Sequence, residues 1–249
     1  MNAKTFLARL GHGLLDLVYP PMCLVCGDRL DTGTLCDDCV ASFEPVAAPF
    51  CTVCGRGQEG DTCRNCERFL TETGAAFAFD AARAGAVYGG AIRHAIHLLK
   101  YREKESLALP LGAFLANRLT VGKLLPEPVA QVVAYVPMHP KRERGRGYNQ
   151  ARLIAEPVAE ILGVPLLDNA AFVRTRHTAP QMGSSDRARR GNFVGETFAV
   201  ADETAVRGKD VLLVDDVYTT GATANACAAC LKAGGAATVR MVCLAAASG

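Results

Sequence analysis

Val211-Leu-Leu-Val-Asp-Asp-Val-Tyr-Thr-Thr-Gly-Ala-Thr223 is the stretch on which the reading of this chain turns. Its four leading apolar residues make a buried strand. Two carboxylates, Asp215 and Asp216, emerge at the strand's end, and a Thr/Gly loop then opens a helix. Adjacent acidic groups at a strand tip can accept hydrogen bonds from a pair of vicinal hydroxyls, or hold Mg²⁺ through water. Thr219, Thr220, Gly221, Ala222 and Thr223 offer backbone N–H groups and hydroxyls at a helix N-terminus, a ready seat for phosphate. Together these groups describe a ribose 5-phosphate. The plainer alternative is an acidic turn that caps a helix. No Walker A loop is present, which leaves an ATPase reading without footing.

Outward from this segment, strands and helices alternate. Residues 132–136 read as a strand, 149–162 as a helix, 211–214 as a strand, 222–233 as a helix and 239–244 as a strand. Short, wholly apolar runs between helical segments indicate an α/β protein whose parallel sheet is covered on both faces. In such sheets ligands sit beyond the carboxyl ends of the strands. Residues 76–119 add one or two strands and two helices, with Arg93, Lys100 and Tyr101 near the end of the first helix. Pro157 falls inside the 149–162 pattern, so a later start or a kink is expected there.

The cysteines form two populations. Eight of the eleven make four C-x-x-C pairs: Cys23/Cys26, Cys36/Cys39, Cys51/Cys54 and Cys63/Cys66. Two residues between thiolates let a tight turn aim both sulfurs at one ion, and two such turns complete a tetrahedral site. Two zinc ions are expected, structural because four thiolates leave no open position for water. Pairing in sequence order gives two consecutive ribbons, while an interleaved cross-brace stays open, as does a disulfide framework. Gly55, Gly57 and Gly60 match G-x-G-x-x-G, but between knuckles, with no strand before and no helix after, so a dinucleotide fingerprint is discarded. Cys227, Cys230 and Cys243 read as small buried hydrophobes.

At 249 residues, half hydrophobic and 21% charged, the composition is that of a globular chain. The net charge of +2 announces neither a nucleic acid nor a membrane as partner. No run approaches the roughly 18 apolar residues of a membrane-spanning helix, and no cleavable leader is evident, so a cytoplasmic location is expected. Phe6, Leu7, Leu10, Leu14, Leu15 and Val18 recur at helical spacing, which predicts a helix over 1–20. A double zinc ribbon is expected over 21–70 and the α/β domain over 75–249.

Local charge is more telling. Residues 139–152 hold five Lys/Arg against one acid, and 174–190 hold five Arg against one acid. Such density suits a pyrophosphate or a nucleic-acid backbone. Arg142, Arg144 and Arg146 are the candidates for pyrophosphate, with Tyr148, Asn149 and Gln150 shaping the loop or the next helix start. His139 lies in the same loop. His94 and His97 share a helix face and read as surface or packing residues. The polar stretch 174–195 is long for a connection and reads as a lid, from which Arg187 and Arg190 could meet a leaving pyrophosphate.

The 211–223 segment resembles the phosphoribosyl pyrophosphate (PRPP) motif of type I phosphoribosyltransferases. Val136-Pro-Met-His-Pro-Lys-Arg-Glu-Arg-Gly-Arg-Gly-Tyr-Asn-Gln150, the four C-x-x-C pairs, and Arg174-x-Arg176 with Pro180-Gln181, Arg187 and Arg190-x-Asn192-Phe193 are together similar to the ComF family of competence-associated proteins. The resemblance spans nearly the whole chain. It implies a type I phosphoribosyltransferase fold, with Asp215 and Asp216 on the ribose hydroxyls, residues 219–223 on the 5-phosphate, and Mg²⁺ bound with PRPP. It also implies a link to DNA uptake. Two functions follow from it: phosphoribosyl transfer to a nucleophile the sequence does not identify, or a non-catalytic accessory that binds PRPP and single-stranded DNA and meets DNA-translocation proteins.

Overall fold

The computed structural model describes residues 20–57, 63–175 and 197–247. The stripe between Phe6 and Val18 lies outside them, as do Gly60, Arg176, Arg187, Arg190 and most of the expected lid.

Four parallel strands form the main sheet in the order β1-β6-β5-β2. They are β1 (Ala81–Val87), β2 (Val132–Tyr135), β5 (Asp210–Tyr218) and β6 (Thr238–Ala246). β2 is buried throughout, and β5 and β6 along most of their length, as expected where helices cover a parallel sheet. The helices are α1 (Asp37–Ala41), α2 (Arg64–Thr73), α3 (Gly90–Tyr101), α4 (Ala108–Thr120), α5 (Pro140–Arg146), α6 (Gln150–Leu162) and α7 (Ala222–Ala233). α4 packs on α6, α6 on β2 and β5, and α7 on β5 and β6.

Two short strands, β3 (Phe172–Arg174) and β4 (Phe198–Val200), pair antiparallel as a separate ribbon that contacts α7. The sequence reading treated the region from Arg174 as a connection only. Three residues on each side give no usable alternation, so only the pairing reveals these strands.

β5 runs to Tyr218, beyond the 211–214 expected. Its carboxylates are therefore inside the strand as paired, Asp215 lying opposite Cys243 of β6. The 76–119 region supplies one strand and two helices, and Arg93 sits in the first turn of α3 rather than near its end. The helix of Pro157 does not start late: α6 begins at Gln150, with Asn149 as its cap accepting from the Ala151 N–H. Pro157 stays within the helix, its ring against Gly112 of α4.

The cysteine-rich segment shares the core of the sheet, since Phe43, Cys51 and Cys54 belong to the same apolar cluster as β5 and β6. It also closes the outer edge of β1. The Ala82 N–H donates to the Val53 carbonyl at 2.6 Å, and the Val87 N–H to Glu44 at 2.7 Å. An edge strand left open would present unpaired N–H groups to other chains.

The α4–α6 contact yields a prediction. A Cβ on Gly112 would stand 2.3 Å from Cγ of Pro157 and 2.7 Å from the Ile154 carbonyl oxygen, neither of which can yield easily. Overpacking of about 1–3 kcal/mol should exceed the helix propensity gain of about 1 kcal/mol. Gly112→Ala is therefore expected to lower the melting temperature by a few degrees in calorimetry, and an unchanged or raised value would contradict this packing.

Candidate functional site

The carboxyl ends of the sheet strands gather the charged groups. β2 ends opposite Val214, so past that residue β5 is paired only with β6. Lys100 at the end of α3 reaches Asp216, with Nζ 2.9 Å from Oδ1. Asp216 is buried, and its Oδ2 has no hydrogen-bond partner among the described residues. The Asp216 N–H turns back to Asp215 Oδ1 at 2.8 Å. Burial pushes the Asp215 carboxyl up from the usual range to about 8, with the charge of Asp216 adding to it and Lys100 and Arg174 opposing.

After Tyr218 the chain turns through Thr219, Thr220 and Gly221 into α7. Gly221 stands at the helix cap with φ +85°, a left-handed conformation suited to glycine. The first-turn N–H groups of a helix lack intrahelical acceptors; the cap residue Gly221 has no side chain to offer, and the Ala222 N–H reaches Thr220 Oγ1 only at 3.4 Å. A hollow of about 40 Å³ lies here, lined by Asp215 and by residues 217–224 and Met241. The structure thus brings Asp215, Thr219, Thr220, Gly221, Ala222 and Thr223 around one small concavity, whereas Asp216 does not line it and pairs with Lys100 instead.

The basic segment after β2 folds as α5, capped by His139, whose Nδ1 accepts from the Lys141 N–H at 3.1 Å. Tyr148 donates its hydroxyl to the Leu99 carbonyl, and Arg146 donates to Gln150 Oε1 at 2.5 Å. Asn149 Nδ2 donates to the Val136 carbonyl at 3.1 Å, tying α6 to the end of β2. Arg142 and Arg146 line a cleft of about 390 Å³ with Lys100, Tyr101, Glu103 and Tyr148. Arg144 is exposed and does not line it. Arg187 and Arg190 lie outside the described residues.

Two further cations stand in the site, one that the sequence reading gave no role in binding and one that it counted in the second basic cluster without singling it out. Lys100 is the first, and its partner Asp216 is distant in sequence, so no local pattern marks the pair. The other is Arg174, stacked on Phe198 at 5.4 Å. Its guanidinium pKa is lowered by burial and then by Arg142, while Asp215 draws it back, so Arg174 lies within electrostatic reach of both.

The four cysteine pairs resolve into two clusters in sequence order: Cys23, Cys26, Cys36 and Cys39, then Cys51, Cys54, Cys63 and Cys66. Sulfur separations are 3.8 and 3.6 Å in the first and 3.7 and 3.4 Å in the second. A Zn–S bond of about 2.3 Å in a tetrahedron requires about 3.8 Å between sulfurs, so the sites fit zinc. These separations exceed the about 2.05 Å of a disulfide. Cys227 and Cys243 are fully buried, and burial pushes both thiols well up, consistent with core packing.

A double zinc ribbon domain matches residues 14–70, and a phosphoribosyl transferase domain matches residues 149–249. The DNA utilization protein YhgH of Escherichia coli O157:H7 is 36% identical over 154 residues, which is 60% of this chain and 64% of that protein. This chain therefore spans just under two thirds of YhgH. The competence protein ComFC of Streptococcus pneumoniae R6 is 27% identical over 232 residues, covering 88% of this chain and 96% of that protein. Among solved structures, a glutamine PRPP amidotransferase from B. subtilis aligns with 55% of this chain and 26% of its own, at 21% identity and a TM-score of 0.38. No described helix is long and apolar enough to cross a membrane.

Two predictions arise from the site. Elemental analysis should find about two zinc ions per chain, and a chelator should lower thermal stability, because such metal binding is folding free energy; a chain that melts identically without metal would contradict the role. The second concerns pH. The folded state keeps the Asp215 proton up to about 8, whereas an unfolded aspartate loses it near about 4. The fold binds more protons across that window, so ligand-free stability falls as pH rises through it. Asp215→Asn should therefore raise the melting temperature more at pH 8 than at pH 5, and an equal gain at both would refute the shift.

Proposed function

Because this chain is a homologue of the YhgH DNA utilization and ComFC competence proteins, joining a double zinc ribbon to a phosphoribosyl transferase domain, we propose that it binds PRPP with Mg²⁺ at the tip of β5 and transfers the phosphoribosyl group to a nucleophile. The observation that carries this reading is one hollow lined both by Asp215 of the β5 tip and by the glycine-led start of α7, with Asp216 the next residue of the strand.

In this reading residues 219–223 hold the 5-phosphate through backbone N–H groups, and Asp215 and Asp216 accept from the two ribose hydroxyls. The unpartnered Asp216 Oδ2 is a carboxylate oxygen ready for such a donor, and a hydrated cation bound at the pair would release the proton that burial keeps on Asp215. Mg²⁺ held at these carboxylates would offset the charge of the bound pyrophosphate. As pyrophosphate leaves C1 through an oxocarbenium-like state, Arg142 and Arg146 take up its charge. Lys100 exchanges Asp216 for the same leaving group. Arg187 and Arg190, expected from the sequence to close over it, complete this proposed set, and Arg144 remains a peripheral cation. The domain bounds of 21–70 and 75–249 and a cytoplasmic setting, where thiolates stay reduced for zinc, belong to the same proposal.

A second reading is favoured by one observation. Tyr101 is 63% exposed beside the basic cleft, with the Arg146 guanidinium 5.5 Å from its ring centroid, a combination on which an unpaired base can stack. A PRPP-dependent accessory that handles single-stranded DNA and meets translocation proteins would use that face.

Calorimetry with PRPP and Mg²⁺ should show saturable binding that Asp216→Asn weakens by about 10–100-fold, the worth of a charge-assisted hydrogen bond. Absence of binding by the unaltered chain would refute the common core of both readings. Pyrophosphate release across a panel of bases and amines, with Asp215→Ala as control, supports transfer. If no nucleophile elicits release while single-strand binding is salt-sensitive and PRPP-dependent, the accessory reading replaces it.

A further inference from the structure

The groups that back the 219–221 turn come from the second cysteine cluster rather than from the sheet. Arg56, two residues after Cys54, donates from Nη2 to the Thr219 carbonyl and lies over the Tyr218 ring, 5.8 Å from its centroid. Its backbone seat is tightly set. At the neighbouring Gly55, with φ +70°, an added Cβ would stand 2.1 Å from the Ala82 carbonyl oxygen of β1.

A second contact reaches the turn from α2, the helix that begins at the Cys63 cap. Phe69 of α2 stacks on Phe77 at 3.8 Å, Phe77 on Phe79 at 4.6 Å, and Phe79 meets Tyr218 edge-on at 6.4 Å. Gly221 is enclosed by the same groups, since a Cβ there would lie 2.6 Å from Tyr218 Oη and 3.0 Å from the Phe77 ring. Arg56 Nε, Asn65 Nδ2 and Tyr218 Oη are buried without hydrogen-bond partners among the described residues. The junction is thus closed by packing and by the cluster that anchors both Arg56 and α2, more than by its own hydrogen bonds. The first cluster attaches elsewhere: Thr34 Oγ1 donates to the Ser106 carbonyl, beyond the end of α3.

A carbonyl oxygen held by a guanidinium is not free to turn toward an anion, and a phosphate-binding turn works only while its N–H groups, not its carbonyls, face the ligand. We propose that Arg56 is a positioning residue for the 219–221 turn, and that metal in the second cluster, but not the first, sets the affinity of that turn for a phosphorylated sugar. The affinity half rests on the phosphate-site reading above; the positioning half does not.

Amide hydrogen exchange on the ligand-free, full-length chain tests the positioning directly. Arg56→Ala should speed exchange across residues 218–223 by about tenfold or more, with the melting temperature little changed, and Arg56→Lys should recover most of the protection. Calorimetry should show Arg56→Ala weakening PRPP binding about 10–100-fold, again with recovery by Arg56→Lys. Cys63→Ser, with zinc content falling from about two to about one per chain, should reproduce both effects, whereas Cys36→Ser should lose a metal without either. Unchanged exchange in Arg56→Ala, or equal loosening by Cys36→Ser, overturns the inference. If the turn loosens as expected but the unaltered chain binds no PRPP, the positioning stands and the phosphate reading falls.

Discussion

The site depends on β5 staying paired with β6 beyond the end of β2, which carries two adjacent carboxylates, one on each face of the strand, to the start of α7. β5 pairs with β6 as far as Tyr218, while β2 stops opposite Val214. Asp215 and Asp216 therefore lie where β5 is paired only with β6, and cations from other elements meet them there. Lys100 arrives from α3, and Arg174 from β3 comes within reach of Asp215. Successive side chains of a strand point to opposite faces, so the two carboxylates meet cations carried by different elements. Asp215 is held in register by β6, opposite Cys243, while Asp216 is buried against Lys100.

The other end of the sheet shows the complementary problem. β1 is an edge strand, and the segment around the second cluster satisfies part of its outer edge through Val53, while Glu44 satisfies another part. Metal-clasped turns are suited to this task because four thiolates fix the backbone without needing a large apolar core. The zinc ribbons are then not an appendage: Phe43, Cys51 and Cys54 are packed into the same core as the strands that carry the site.

Much of this was legible in the sequence for identifiable reasons. α7 was readable to its end residues because Gly221 and Gly234 bracket an unbroken run of helix-compatible residues. The sequential pairing of the cysteines was one of two open arrangements, and the sulfur separations decide it. What was not legible falls into two kinds. β5 outran its apolar run because hydrogen bonding to β6 continues under polar residues, so hydrophobicity understated its length. Contacts such as Arg56 with Thr219, 163 residues apart, or Lys100 with Asp216, arise only when the chain is folded, and neither cation differs locally from a solvated surface residue. β3 and β4 are too short to carry a periodic signal at all.

The central claim is that the tip of β5 and the start of α7 together hold a phosphorylated ribose. A crystal of the full-length chain soaked with PRPP and Mg²⁺ tests it most directly. The account predicts the 5-phosphate over the N–H groups of residues 219–223, the ribose hydroxyls on Asp215 and Asp216, and Lys100 released from Asp216. Density for the ligand at another surface, or an ordered ligand with the Lys100–Asp216 pair still closed and the 219–223 turn empty, would contradict it.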